Sequence, residues 1–125
     1  MSARLTLVLG AAFMFVAVAL GAFGAHALKG RLTSDMASVW QTAVQYHAWH
    51  ALALFALGLL MLHFPERAGL GLAGSLFVAG ILLFSGSLYV LALTGVRGLG
   101  AVTPFGGVAF LAGWAVLVWA ISRAG

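Results

Sequence analysis

The side chains able to do chemistry fall in a few short stretches. They are His26; Gln45, Tyr46, His47 and His50; Ser85, Ser87 and Tyr89; and Thr103. Imidazole, phenol and hydroxyl groups exchange hydrogen bonds and protons, and imidazole also binds metals. His47 and His50 are spaced i, i+3 and share a helical face, while Tyr46 and His50, at i, i+4, can do the same. Four chemistries fit these residue types. An interhelical hydrogen-bond lattice asks only that the groups pair, at about 0.6 kcal/mol per bond in a bilayer. A proton-responsive pore or small-solute site would draw on imidazole titration near neutral pH and on relays through Ser, Tyr and His. His26, His47 and His50 are the metal candidates, for zinc or copper, and two of them could be axial to haem. An enzyme acting on a lipid or quinone would need a nucleophile, a base and an orienting group. His50 with Ser85 or Ser87 lacks the carboxylate.

The chain's two acidic residues, Asp35 and Glu66, lie outside its long apolar runs, so no carboxylate is at hand to orient a metal-bound imidazole. No metal and no cofactor is expected, and a non-enzymatic role is favoured.

The elements that position these groups follow from composition. Charged residues make up 6% of the 125-residue chain and hydrophobic residues 64%. Mean hydropathy is +1.15. A soluble fold of this size could not hide so much apolar surface, so lipid is the solvent. The basic residues, Arg4, Lys29, Arg31, Arg67, Arg97 and Arg123, sit at the ends of apolar runs like interfacial anchors. No clustered basic face exists for a nucleic acid, so membrane lipids are the expected partners. There is no cysteine, which excludes disulfides and thiolate metal sites.

Four apolar stretches are read as spans, at approximately 5–28, 44–63, 69–94 and 102–121, in a single domain covering 1–125. Arg4 followed by an apolar run and Ala25-His26-Ala27 imitates a secretory signal, but the run exceeds the h-region of about 7–15 residues, so a retained span is expected. Thr33 or Ser34 reads as a helix cap with Asp35 in the first turn. Residues 36–43, mixed in polarity, read as an interfacial extension of helix two. Pro65-Glu66-Arg67 breaks the chain after His63. Residues 95–100 form a glycine-rich turn, and Pro104 stands where a helix start tolerates it. The expected fold is all-α, an integral membrane antiparallel four-helix bundle whose second helix carries an interfacial N-terminal segment.

Four antiparallel spans define two sides. The near side holds the N-terminus; the far side holds the link between helices one and two and the link between helices three and four. His26, Gln45, Tyr46, His47, His50, Ser85, Ser87, Tyr89, Thr94 and Thr103 all fall in the far half, whereas the near half is almost wholly apolar. At 1.5 Å per residue, His50 lies roughly 9 Å deeper than Val44, and Ser85 roughly 13 Å from Thr94. Unpaired polar groups in hydrocarbon are costly, so these should turn inward, toward one another or a small pocket. Ala17, Gly21 and Ala25 on helix one, and Gly106, Ala109 and Gly113 on helix four, form small-residue stripes. Such stripes suit packing within the bundle, or a homo-oligomer. The basic residues divide evenly between the sides, which leaves the membrane orientation open.

Several blocks carry a family resemblance: Gly21-Ala22-Phe23-Gly24-Ala25-His26-Ala27-Leu28, Trp40-Gln41-Thr42-Ala43-Val44-Gln45-Tyr46-His47, Leu83-Phe84-Ser85-Gly86-Ser87-Leu88-Tyr89 and Thr103-Pro104-Phe105-Gly106-Gly107. With these the chain resembles the YgdD-like small bacterial membrane proteins (domain of unknown function four-two-three) and is similar to an uncharacterised animal transmembrane protein. The resemblance implies a four-helix, multi-pass protein of the bacterial inner membrane and carries over no catalytic role. The functional expectation is a small site for water, protons, or a small polar or lipid-headgroup ligand, lined by His, Ser and Tyr in one leaflet. The alternative is an assembly role for the glycine-rich helices.

Overall fold

A computed structural model of the protein describes residues 1–123. The helices are α1 (Ala3–His26), α2 (Ser34–His63), α3 (Leu70–Gly80), α4 (Gly86–Thr94) and α5 (Thr103–Ser122). A π-helical turn, Ile81–Ser85, joins α3 to α4, and a 3-10 turn, Arg97–Ala101, leads into α5. Four helical stretches are long and apolar enough to cross a bilayer: Ala3–His26, Ser34–His63, Leu70–Thr94 and Arg97–Ser122. The protein is therefore an all-α membrane bundle.

Local chemistry sets the helix ends. Ser2 Oγ accepts the Leu5 N–H at 3.1 Å and starts α1. Thr33 Oγ1 accepts the Met36 N–H at 3.1 Å and starts α2, with Asp35 favourably placed in the positive first turn. α2 then runs unbroken for 30 residues, about 45 Å, longer than a perpendicular span requires. Gly95 closes α4 at φ 70°, a left-handed position that only glycine takes without strain. Pro104 occupies the first turn of α5, where its missing N–H has no helical partner to lose.

The spans pack as two antiparallel hairpins. α1 lies along α2, α5 lies along α3 and the π turn, and the hairpins meet where α2 packs against the third span. On α2 the face that meets α1 is Trp40, Val44, His47 and Ala51, one residue per turn. These sit against Leu20, Gly21, Phe13 and Gly10 respectively. The adjoining face, with Ala43, Tyr46, His50, Leu54 and Leu57, turns toward the third span and α5. The apolar core of the near half gathers Leu54, Leu57, Leu70, Ala73, Phe77 and Ala120.

Two glycines permit these contacts. A side chain on Gly10 would meet the Phe55 backbone nitrogen at 2.6 Å, and one on Gly106 would run into the Phe84 backbone. Both helix pairs thus touch backbone to backbone. Gly113 sits against the Phe77 ring and Ala17 is buried, so much of both small-residue stripes is engaged inside the chain.

The third span departs from the uninterrupted helix read from sequence. The wide turn lies between Gly80 and Gly86, and the Gly86 N–H reaches back five residues to the Ile81 carbonyl. Ser85, last residue of that turn and fully buried, donates its hydroxyl to the Ala43 carbonyl of α2 at 2.8 Å. One extra residue in a turn re-aims everything after it, and such turns recur at functional sites.

Substituting Gly106→Val should lower stability by more than the about 1–3 kcal/mol typical of overpacking, because backbone rather than a movable side chain stands in the way. Gly100, which faces open space, should tolerate Ala within about 0.5 kcal/mol. Thermal unfolding of the full chain in detergent measures both; equal behaviour of the two variants contradicts the packing described.

Candidate functional site

His50 is 5% exposed and sits among Tyr46, Phe77, Phe110 and Trp114. Its ring stacks on Phe110 with centroids 3.6 Å apart. Nδ1 lies 2.7 Å from the Tyr46 carbonyl, which can only accept, so Nδ1 carries the proton. The Trp114 indole N–H, which can only donate, reaches Nε2 at 3.0 Å, so Nε2 is the acceptor. Both nitrogens are taken and the tautomer is determined. A metal, a proton or a serine would have to displace one of these hydrogen bonds.

His47, 2% exposed, pairs with a different partner. Its Nδ1 is 2.8 Å from the Tyr89 hydroxyl on α4. Nε2 is buried without a hydrogen-bond partner, although the Phe13 backbone of α1 lies close enough to act on the ring. Either the phenol or Nδ1 can supply the proton of the His47–Tyr89 bond. Tyr89 packs in turn on the Trp40 indole, centroids 4.8 Å apart, and the Trp40 N–H bonds the Leu20 carbonyl of α1 at 3.1 Å.

The hydroxyls complete a second set of pairs. Ser87 donates to the Phe84 carbonyl at 2.9 Å and accepts from Thr103 of α5 at 2.7 Å. The Leu99 carbonyl, at 3.4 Å, is a weaker alternative for the Thr103 proton. Ser85 serves Ala43, as described above. None of these bonds joins a histidine to a serine. Of the nine candidates from sequence, His47 with Tyr89 and Ser87 with Thr103 are therefore brought together as side-chain pairs, His50 lies on the Tyr46 backbone, and Ser85 stands alone on α2. His26 and Gln45 are exposed and join neither histidine. No three His, Cys, Asp or Glu side chains converge on a common point among the described residues.

Open space lies elsewhere. A cleft of about 570 Å³ occupies the far-side corner between α1 and α2, beneath their link. One wall is the last two turns of α1 with Gly21, Gly24 and Ala25; the other is Ala37, Trp40, Gln41, Val44 and Gln45 of α2. Lys29, Gly30 and Leu32 of the link form the mouth. The cleft exists because Trp40 wedges between the helices. Its indole presses on Gly24, where a side chain would collide with it. The residues around the wedge are small and leave the gap unfilled. The α1 wall, Gly21, Gly24, Ala25 and Leu28, is apolar. Of the polar groups, Lys29 stands at the mouth, and Gln41 and Gln45 lie along the α2 wall with Gln45 at its deepest level. Only Gln45 among these was singled out from sequence. Trp40 read as interfacial; a buried indole must find an acceptor, and that requirement was the available clue to both Trp40 and Trp114.

Comparison with known proteins agrees with this architecture. Residues 20–107 match the family described as "Protein of unknown function (DUF423)". The chain belongs to this family. It is 47% identical over 115 residues to the UPF0382 membrane protein YwdK of Bacillus subtilis, covering 92% of this chain and 94% of that one. A UPF0382 membrane protein of Staphylococcus haemolyticus is 44% identical over 115 residues (92% and 93%), and one of Staphylococcus epidermidis 47% over the same length (92% and 93%). No solved structure matches. The family match takes in the corner cleft and both hydrogen-bonded histidines. The chain is thus a membrane protein of the DUF423 family.

Trp114→Phe should cost about 1–3 kcal/mol, because it strands the buried His50 Nε2 without a donor. Ser85→Ala should cost nearer 0.6 kcal/mol, roughly the average for an interhelical bond, because the Ala43 carbonyl keeps its place in the α2 ladder. Unfolding of both variants in detergent gives the ranking. A reversed order contradicts the assigned His50 hydrogen bonds.

Proposed function

We propose that this DUF423 protein is a non-enzymatic protein of the bacterial cytoplasmic membrane that holds an amphiphilic lipid in its α1–α2 corner. The observation that carries the reading is the cleft, with an apolar α1 wall of Gly21, Gly24, Ala25 and Leu28, a cation, Lys29, at its mouth, and the carboxamides of Gln41 and Gln45 along its α2 wall. A cavity of this volume falls within the range of about 300–1,000 Å³ that suits small ligands. Its mouth opens at the end of two spans, where Lys29 would meet a headgroup and the apolar α1 wall an acyl chain.

The ligand site expected among the histidines moves to the corner in this reading. His50 has both nitrogens engaged and the hydroxyls are paired, so a solute would have to break existing bonds to enter there. The non-enzymatic reading has the same support: among the described residues no serine is bonded to a histidine that could activate it. Assignment to the cytoplasmic membrane draws on the helical build, since bacterial outer-membrane spans are closed β-barrels. The assembly alternative has fewer groups left to work with, because Ala17, Gly106 and Gly113 are already packed within the chain.

Mass spectrometry of lipids retained by the full chain, purified in mild detergent, tests the proposal. Wild type should retain a lipid near one per chain. A double substitution, Ala25→Phe with Ala37→Phe, fills the cleft from two exposed positions that line it, and should release that lipid while leaving thermal unfolding nearly unchanged. Equal lipid content in the two proteins sinks the reading.

A further inference from the structure

We infer that the amphiphile of the corner is an anionic glycerophospholipid, with its phosphate against Lys29 and one acyl chain descending along the α1 wall past Gly24 and Gly21. This rests on the corner being a ligand site and adds the chemistry of the ligand.

Charge decides the headgroup. Lys29 is the one charged residue lining the cleft, and Arg31 stands in the same link. The chain has only two carboxylates. Asp35, in the first turn of α2, is outside the lining, and Glu66 belongs to the near side. Two cations therefore face one anion at the far-side corner, and the cation that borders the cavity has no carboxylate beside it in the lining. A phosphate with no second charge complements this mouth. A choline headgroup would bring a cation of its own to the same place.

Depth decides the rest of the molecule. From Leu28 to Gly21 the α1 wall descends about 10 Å, and the α2 wall falls by a similar amount from Ala37 to Val44. Gln41 and Gln45 stand one turn apart, about 6 Å, on that second wall. Each carboxamide has two N–H donors, which suit phosphate oxygens and ester carbonyls, both of them acceptors. On the facing α1 wall the lining below the mouth is Ala25, Gly24 and Gly21, whose small size leaves room for a methylene chain. The cleft thus offers a cation at its mouth, carboxamides along one wall and an apolar track along the other, which suits the phosphate, the ester groups and a hydrocarbon chain of a phospholipid.

The test is native mass spectrometry of the full chain titrated with phosphatidylglycerol or phosphatidylcholine bearing identical acyl chains. Wild type should prefer phosphatidylglycerol by about fivefold, the effect of one basic side chain at an anionic membrane surface. Lys29→Gln should abolish the preference. Lys29→Arg should retain it, as should Arg31→Gln, since Arg31 does not border the cavity. Lys29 lies in an exposed link, so these variants keep the fold. No preference in wild type, or a preference that survives Lys29→Gln, overturns the assignment. The Ala25→Phe/Ala37→Phe variant separates the two ways of failing. If both lipids bind wild type equally and leave the filled variant, the ligand site stands and the anionic headgroup falls. If the filled variant keeps its lipid, the lipid is annular only and both fall.

Discussion

Lipid is the solvent of a membrane bundle, and that solvent removes the force that packs soluble helices. Leucine gains nothing by leaving acyl chains for another leucine. Two kinds of contact remain to hold helix to helix: backbone approach close enough for dense dispersion, and hydrogen bonds with no competing water. The molecule uses both. Gly10 lets α1 reach the backbone of α2, and Gly106 lets α5 reach the third span. Between these seams run the polar links: Trp40 to Leu20, His47 to Tyr89, Ser85 to Ala43 and Trp114 to His50. Each of the four joins different spans.

That economy shapes where a ligand can go. A polar group used to fasten two helices is not free for another partner, and the buried histidines are so used. His50 is the clearest case, with a carbonyl on one nitrogen, an indole on the other and Phe110 stacked 3.6 Å away. The space left over lies where fastening ends, at the corner where Trp40 props α1 and α2 apart. Trp40 belongs to both systems. It bonds α1, carries Tyr89 against its ring, and walls the cleft. A ligand in the corner would press on the same indole that supports the Tyr89–His47 pair.

The legible features were the local ones. Thr33 with Asp35 announces the start of α2, Gly95 the end of α4, and Pro104 the first turn of α5, because each acts within one turn of its own position. The far-half gathering of polar groups could also be read by counting rise per residue. Their pairing could not. His47 and His50 are one turn apart and were read as sharing a face, yet one turns to Tyr89 and the other to Trp114. An i, i+3 pair is separated by about 60° around the helix axis, enough to present each ring to a different neighbour. The π turn was equally hidden, since it answers to the register of the third span against α2 rather than to the residues within it.

By itself, then, the sequence determined the solvent, the number of membrane-spanning helices and which polar side chains share one half of the bundle. Those follow from hydropathy and helical rise, which are properties of contiguous residues. Tertiary structure alone decided which polar group meets which, and therefore which are used up. It also placed Lys29, Gln41 and Trp40 around one cavity, because a cleft is the shape left between two helices, and its width depends on a wedge from one meeting a glycine on the other.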